Sequence, residues 1–258
     1  MLTKEQVQEL SKKKKTNEYV VSREFLQILL LKELYSNSFS EKVYFKGGTC
    51  IRLVYGGERF SEDLDFTVTI GEEDFEKEIG RFFKRMSNIY PVQFKEKESV
   101  NGKTYLATIK TDFLKQEVYI KLDFSFREEV LQPVQKIVEK NEYPVIFKSF
   151  VNCLSLDEIL SEKIRAFLSR DKYRDLYDLW VLLELGAKYR EKLVESKLAY
   201  YDLRFSKEGI LNRIESLSKD NFITELKPFV PINEREGLGD LFEYICEYLR
   251  TRLGVSNP

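Results

Sequence analysis

Val43-Tyr44-Phe45-Lys46-Gly47-Gly48-Thr49, followed by Asp63-Leu64-Asp65-Phe66-Thr67-Val68, is the stretch whose reading decides the fold of this chain. Val43, Tyr44 and Phe45 suit a short strand over 42–46. Ile51, Leu53 and Val54 carry the apolar spacing of a helix over 49–55. The glycines therefore fall at a strand-to-helix turn. Glycine tolerates positive φ and lets the backbone approach a ligand closely. The first N–H groups of a helix have no partner within it and favour an anion. Gly47 and Gly48 thus read as a phosphate cradle to which Thr49 adds a hydroxyl. Taken alone, Gly-Gly-Thr also fits a plain turn.

Leu64, Phe66, Val68 and Ile70 alternate with Asp63, Asp65, Thr67 and Thr69, the period of a half-buried strand. Asp63 and Asp65 then share one face, roughly 6.5–7 Å apart along the strand. A later segment alternates in the same way. Val118, Ile120, Leu122 and Phe124 face one side; Tyr119, Lys121, Asp123 and Ser125 face the other. If the two strands are neighbours, Asp63, Asp65 and Asp123 converge. Three carboxylates raise one another's pKa unless a cation compensates them. Mg²⁺ is the hard cation that carboxylates and substrate phosphates hold together, and Mn²⁺ is its substitute. The pattern points to metal-dependent chemistry on a nucleotide. Asp-x-Asp alone also fits a solvated strand end.

Composition narrows the classes. The chain has 258 residues, enough for one large core or two smaller ones, and no histidine, which excludes Ser-His-Asp and Cys-His catalysis and any His-ligated metal within it. Its three cysteines are isolated, make no zinc pattern, and read as buried free thiols. The net charge of −1 gives no bulk positive field for nucleic acid. Local basic runs at Lys12–Lys15 and at Arg81, Lys84 and Arg85 read first as solvated helix faces. No apolar run approaches membrane-spanning length, and the first residues lack a signal-peptide core, so a cytoplasmic protein with no membrane partner is expected.

The expected fold class is α+β. Residues 1–150 would mix strands and helices: N-terminal helices within 4–36, an amphipathic helix from Phe75 to Met86, and strands at 92–98, 104–112 and 117–126. Residues 151–258 would be a helical lobe, ending in a helix over about 238–253. Ser155-Leu156-Asp157-Glu158 reads as a capping box. In the helix it opens, Leu156, Ile159, Leu160, Ile164 and Phe167 form an apolar stripe, with Glu158, Ser161, Glu162 and Arg165 opposite. Lys163 falls inside the stripe and Arg170 near its edge. A cation there is costly unless paired or able to reach water. It is either the partner of a core carboxylate or a point charge aimed at phosphates in a nucleotide cleft. Further on, Arg174 and Asp178 are spaced for an ordinary helix ion pair.

These residues resemble the nucleotidyl transferase AbiEii/AbiGii toxin family, which includes MenT-type toxins. Its first pattern is Gly-Gly-Ser/Thr followed by Arg-x-Ser-x-Asp-hydrophobic-Asp, here Gly47-Gly48-Thr49 and Arg59-Phe60-Ser61-Glu62-Asp63-Leu64-Asp65. A helical lysine and Arg-Asp-x-x-Asp follow, here Lys163 and Arg174-Asp175-Leu176-Tyr177-Asp178. The resemblance covers about 40–185. It implies a polymerase-β-like nucleotidyltransferase fold, a mixed sheet with flanking helices plus a helical C-terminal lobe. It implies NTP as substrate, Mg²⁺ as cofactor, tRNA as an acceptor and an antitoxin as partner. By carry-over Asp63 and Asp65 are metal ligands, Gly48 and Thr49 touch phosphates, Lys163 binds the triphosphate, and Asp175 and Asp178 shape the nucleotide site. The expected reaction is attack of a hydroxyl on the NTP α-phosphate, with pyrophosphate leaving. Asp123 would complete the carboxylate set, and Lys163 and Arg170 would offset the leaving charge. A binding module without transfer activity, and a non-toxic enzyme modifying a small molecule or protein, are the competing readings.

Overall fold

The computed structural model describes residues 1–99, 102–138 and 142–254. These form two compact units, Met1–Leu154 and Ser155–Pro258. Residues 255–258 of the expected helical lobe lie outside the described residues.

The first unit is built on a seven-stranded sheet. Its strands are β1 (Val43–Lys46), β2 (Leu64–Val68), β3 (Val92–Lys97), β4 (Lys103–Ile109), β5 (Val118–Ser125), β6 (Pro133–Lys136) and β7 (Val151–Leu154). Their spatial order is β3-β4-β5-β2-β1-β7-β6. The β2–β5 and β1–β7 pairs are parallel and the rest antiparallel, so the sheet is mixed. The fold class is α+β, as expected. Strand β5 keeps the predicted alternation, with Val118, Ile120, Leu122 and Phe124 buried and the residues between them partly or fully exposed. Strands β6 and β7, of four residues each, were not legible as strands. They are too short to show a period, and pairing defines them. The sequence division at 150 falls just before β7, which belongs to this sheet.

Residues 4–36 are largely helical, as expected. Two helices stand there, α1 (Lys4–Lys13) and α2 (Glu18–Leu34). Lys15 has φ +50°, and Asn17 caps α2 by accepting a hydrogen bond from the Val20 N–H at 2.9 Å. An Asn at this position ends one helix and begins another. Helix α2 is buried almost all round, and its buried set includes Arg23, Glu24 and Gln27. Helix α3 (Gly47–Tyr55) follows β1, and α4 (Glu72–Ile89) buries Phe75, Ile79, Phe82 and Met86 as the sequence predicts. Among the described residues no helix is long and apolar enough to cross a membrane. Cys50, Cys153 and Cys246 are buried and form no disulfide among the described residues.

The second unit is helical: α5 (Leu156–Ser169), α6 (Tyr173–Glu184), α7 (Glu191–Ala199), α8 (Lys207–Glu215), α9 (Lys219–Leu226) and α10 (Leu238–Leu249). Ser155 caps α5 by accepting from the Glu158 N–H at 3.2 Å. The Glu158 carboxylate meets Lys197 Nζ at 2.7 Å. Glu158, Ser161 and Glu162 are buried, so the supposed polar face of α5 is covered. Lys197 of α7 supplies the charge that makes this tolerable. It is fully buried between Glu158 and Glu162, the latter at 3.3 Å.

Removing one member of a buried ion group leaves the others uncompensated. Lys197→Met is expected to lower the stability of the full chain by about 3–5 kcal/mol. Urea unfolding of variant against wild type checks this. An unchanged midpoint would mean that the charges are dispensable.

Candidate active site

The site is best built from the turn between β1 and α3. Gly47 has φ +78°, a conformation that L side chains rarely adopt, and a Cβ placed there would lie 2.2 Å from Asp65 Oδ2. A Cβ at Gly48 would lie 2.5 Å from Arg59 Nη2 and 3.0 Å from Ser61 Oγ. The glycine pair and the Arg59-x-Ser61-x-Asp63-x-Asp65 segment are therefore in direct contact. Each glycine makes room for a side chain of the other segment. The Asp65 carboxylate rests against the first turn of α3, where the helix dipole favours negative charge. Thr49 is fully buried and its hydroxyl donates to the Asp63 carbonyl. In this structure that hydroxyl holds the aspartate-bearing segment in place.

Cross-strand register then assembles a polar row. Lys46 pairs with Asp65, Asp65 with Asp123, and Asp123 with Thr104. Residues directly opposite each other project from the same face. The row thus crosses β1, β2, β5 and β4. Thr104 Oγ1 donates to Asp123 Oδ1 at 2.6 Å, and Lys121 Nζ lies 2.5 Å from Asp123 Oδ2. Partial burial alone would lower the Lys121 pKa. Its hydrogen bond to Asp123 and the charges of Asp123, Asp63 and Asp65 outweigh this and raise it. All three predicted carboxylates are close enough to act on this one ammonium. Lys46, mostly buried, lies 4.0 Å from Glu128 Oε2.

Elements behind the row fix the segment that carries Asp63. Gln27 Nε2 donates to the Ser61 and Glu62 carbonyls at 3.1 and 2.8 Å, and Arg23 bridges to Glu62 at 2.7 Å. Arg52 of α3 pairs with Glu24, donates to the Glu58 carbonyl, and stacks over Phe60 at 3.9 Å. Burial would raise the Glu24 carboxyl, but Arg52, Lys14 and the Tyr143 hydroxyl together hold it below the usual carboxylate range. Sequence reading missed Arg23, Glu24, Gln27 and Arg52, because they looked like members of ordinary helices. It also missed Lys46 and Thr104, whose relevance depends on register. Lys121 had a signal: it stands two residues before Asp123, on the same strand face.

Hard carboxylate oxygens of this kind suit a divalent cation such as Mg²⁺. Among the described residues, no three His, Cys, Asp or Glu side chains converge closely enough to hold a metal ion.

The residues predicted for the second unit also come together. Lys163 Nζ lies 3.0 Å from Asp175 Oδ1 and 2.6 Å from Asp178 Oδ2. Arg170 forks onto Asp175, with Nε 2.7 Å from Oδ2 and Nη2 2.9 Å from Oδ1. Both aspartates are buried, and the Arg170 side chain is about half exposed. Of the two readings of Lys163, the paired lysine is the one seen here. Arg174 meets Glu225 at 3.2 Å, and Asp178 turns inward to Lys163. Burial would raise the Asp175 carboxyl, but the Lys163 and Arg170 charges hold it well below the usual range.

Two expectations follow. Gly47→Ala should cost at least about 1–2 kcal/mol for the left-handed backbone alone, read by thermal melting. A neutral effect would mean that the turn relaxes without displacing Asp65. A depressed carboxyl contributes stability above its unfolded pKa and loses it as pH falls. Wild type should therefore lose stability below about pH 4, and Asp175→Asn, weaker at neutral pH, should lose less over that range. Parallel acid-unfolding curves would show that this pairing contributes nothing.

Comparison with known proteins gives a consistent picture. Residues 29–237 match the profile of a family described as nucleotidyl transferase AbiEii toxin, type IV toxin–antitoxin system. Curated protein sequences give no match. Among solved structures the chain is similar to the nucleotidyltransferase toxin MenT4 of Mycobacterium tuberculosis H37Rv, at 18% identity and a TM-score of 0.65, covering 96% of this chain and 90% of that one. It is also similar to JHP933 of Helicobacter pylori, at 20% identity and a TM-score of 0.51, covering 92% and 95%. At these identities the likeness is one of fold. The profile match spans most of the sequence and includes the glycine turn, the aspartate pair, Lys163 and Asp178. The chain belongs to the nucleotidyl transferase AbiEii toxin family and is a nucleotidyltransferase.

Proposed function

We propose that this protein is a toxin that transfers NMP from an NTP to an acceptor hydroxyl on tRNA, with Mg²⁺ as cofactor. The observation that carries this reading is the register of Asp65 beside Asp123, with Asp65 packed against Gly47 at the start of α3. Asp63, Asp65 and Asp123 would hold the metal together with the substrate phosphates, since among the described residues the carboxylates by themselves do not converge closely enough to do so. Bound there, it would neutralise charge on the transferring phosphoryl group. Asp123, on the β4 side of the row, would also accept the proton of the attacking hydroxyl. Gly47, Gly48 and Thr49 line the turn at which phosphate would sit, with backbone N–H groups as donors. Lys163 and Arg170 would bind the triphosphate, and Asp175 and Asp178 would orient those two cations as they do here. The reaction draws on NTP and tRNA, so the protein would act in the cytoplasm, with a cognate antitoxin in the same system.

The direct test is pyrophosphate release from each NTP in the presence of pooled tRNA. Asp65→Asn keeps shape and removes charge, and activity should fall on the order of 10²-fold or more. In a bacterial host the wild type should slow growth, and Asp65→Asn, at matched soluble levels, should not. Full activity of both Asp63→Asn and Asp65→Asn would remove the metal assignment. Pyrophosphate release without tRNA labelling would move the acceptor to a small molecule or protein. NTP binding with no release would make the chain a binding module.

A further inference from the structure

We propose that the open face of β3, β4 and β5 is the surface along which an unpaired, single-stranded stretch of the acceptor RNA lies, with its reacting end at Asp123. This rests on the transfer reading above and adds to it the residues that recognise the acceptor. Register builds the face. Lys97 pairs with Thr104 and Thr104 with Asp123; Lys95 pairs with Leu106 and Leu106 with Lys121; Gln93 pairs with Thr108 and Thr108 with Tyr119. Residues directly opposite each other project from the same face. Lys95, Lys97, Lys121 and Tyr119 therefore stand on the side of the sheet that carries the polar row, and all four are exposed.

Charge is sorted across this part of the sheet. On the other face, Phe94 and Tyr105 pack on Phe83 of α4 at ring distances of 4.1 and 4.8 Å. Lys103 bridges Glu72 and Glu76 of α4 and Glu96 of β3. These three carboxylates are thus gathered on the covered side. Lys95 and Lys97 point the other way, with no ion pair to either among the described residues. Lys121 bridges to Asp123, and Glu98, just past β3, borders the Asp123 end of the face beside Lys103 and Lys121. The whole chain carries a net charge of −1, so the complement to a polyanion is local. Lys95 and Lys97 are roughly 6.5–7 Å apart along β3, and each can meet a separate phosphate. Tyr119 adds a stacking surface. Its hydroxyl donates to Glu117 at 2.8 Å, which fixes the ring, and its N–H donates to the Tyr19 hydroxyl at 3.4 Å. Lysines alone would take any polyanion. An exposed ring beside them on an open sheet selects unpaired bases.

The test is binding of a short fluorescein-labelled single-stranded RNA of mixed sequence to the full chain. It is read by fluorescence anisotropy over a salt series, with chelator and without NTP. Lys95→Gln/Lys97→Gln should bind more weakly than wild type. Its plot of log affinity against log salt should be shallower by roughly 1.4, as for two lost single-strand phosphate contacts. Tyr119→Leu should lose roughly fivefold or more in affinity and keep the wild-type salt slope. Arg81→Gln/Lys84→Gln, which removes two cations from the exposed side of α4, should bind as wild type does. In the transfer assay Lys95→Gln/Lys97→Gln should raise KM for tRNA and leave KM for NTP unchanged. Wild-type affinity in the β3 variant, or an equal loss in the α4 variant, overturns this face and leaves the transfer reading standing. Displacement of the RNA by poly-glutamate as readily as by unlabelled RNA makes the face a site for acidic protein and overturns the RNA assignment. Failure of wild type to bind the RNA overturns the proposal; pyrophosphate release on adding tRNA would then still support the transfer reading.

Discussion

Asp65 and Asp123 lie directly opposite each other on adjacent parallel strands, and a like-charged pair in register is the constraint around which the first unit is organised. Such a pair opposes folding unless neighbours compensate it. The sheet provides that compensation along the same row. Lys46 stands beside Asp65 in register, Lys121 bridges to Asp123, and Thr104 donates to it. The turn at Gly47 provides the rest, since only a residue without a Cβ leaves room for the Asp65 carboxylate at the start of α3. The chemistry and the backbone thus meet at one point.

The same constraint explains why α2, deep in the unit, carries polar side chains. Buried polar groups persist when they are hydrogen-bonded. Gln27 and Arg23 hold the Ser61–Glu62 backbone and the Glu62 carboxylate, and Glu24 anchors Arg52. Together they clamp the segment from Glu58 to Glu62 just before the aspartates. A loop held in this way can present two carboxylates at fixed positions without belonging to a long strand.

The second unit follows a comparable rule with opposite geometry. Lys163 and Lys197 are each buried with two carboxylates, on opposite sides of α5. Buried ion groups add little net stability over apolar packing but are costly to break. The Lys197 group ties α5 to α7. The Lys163 group ties α5 to α6 and continues to the half-exposed Arg170, where a charged ligand could reach it.

Much of this was legible in the sequence. Local patterns determined the α+β class, the strand-turn-helix at Gly47-Gly48-Thr49, the alternation of β5, the helix α4 and the candidate residues of both units. Each depends on a period or turn within a few residues of chain. Tertiary structure alone decided the remainder. It made strands of Pro133–Lys136 and Val151–Leu154, which are too short to declare themselves. It covered the supposed polar face of α5 with Lys197, and turned Asp178 toward Lys163. It placed Lys46, Asp65, Asp123 and Thr104 in one row. The physical reason is common to all of these. A side chain's alternation or helical phase is set locally, but its partner is set by which strand or helix lies alongside, and that depends on residues far away in the chain.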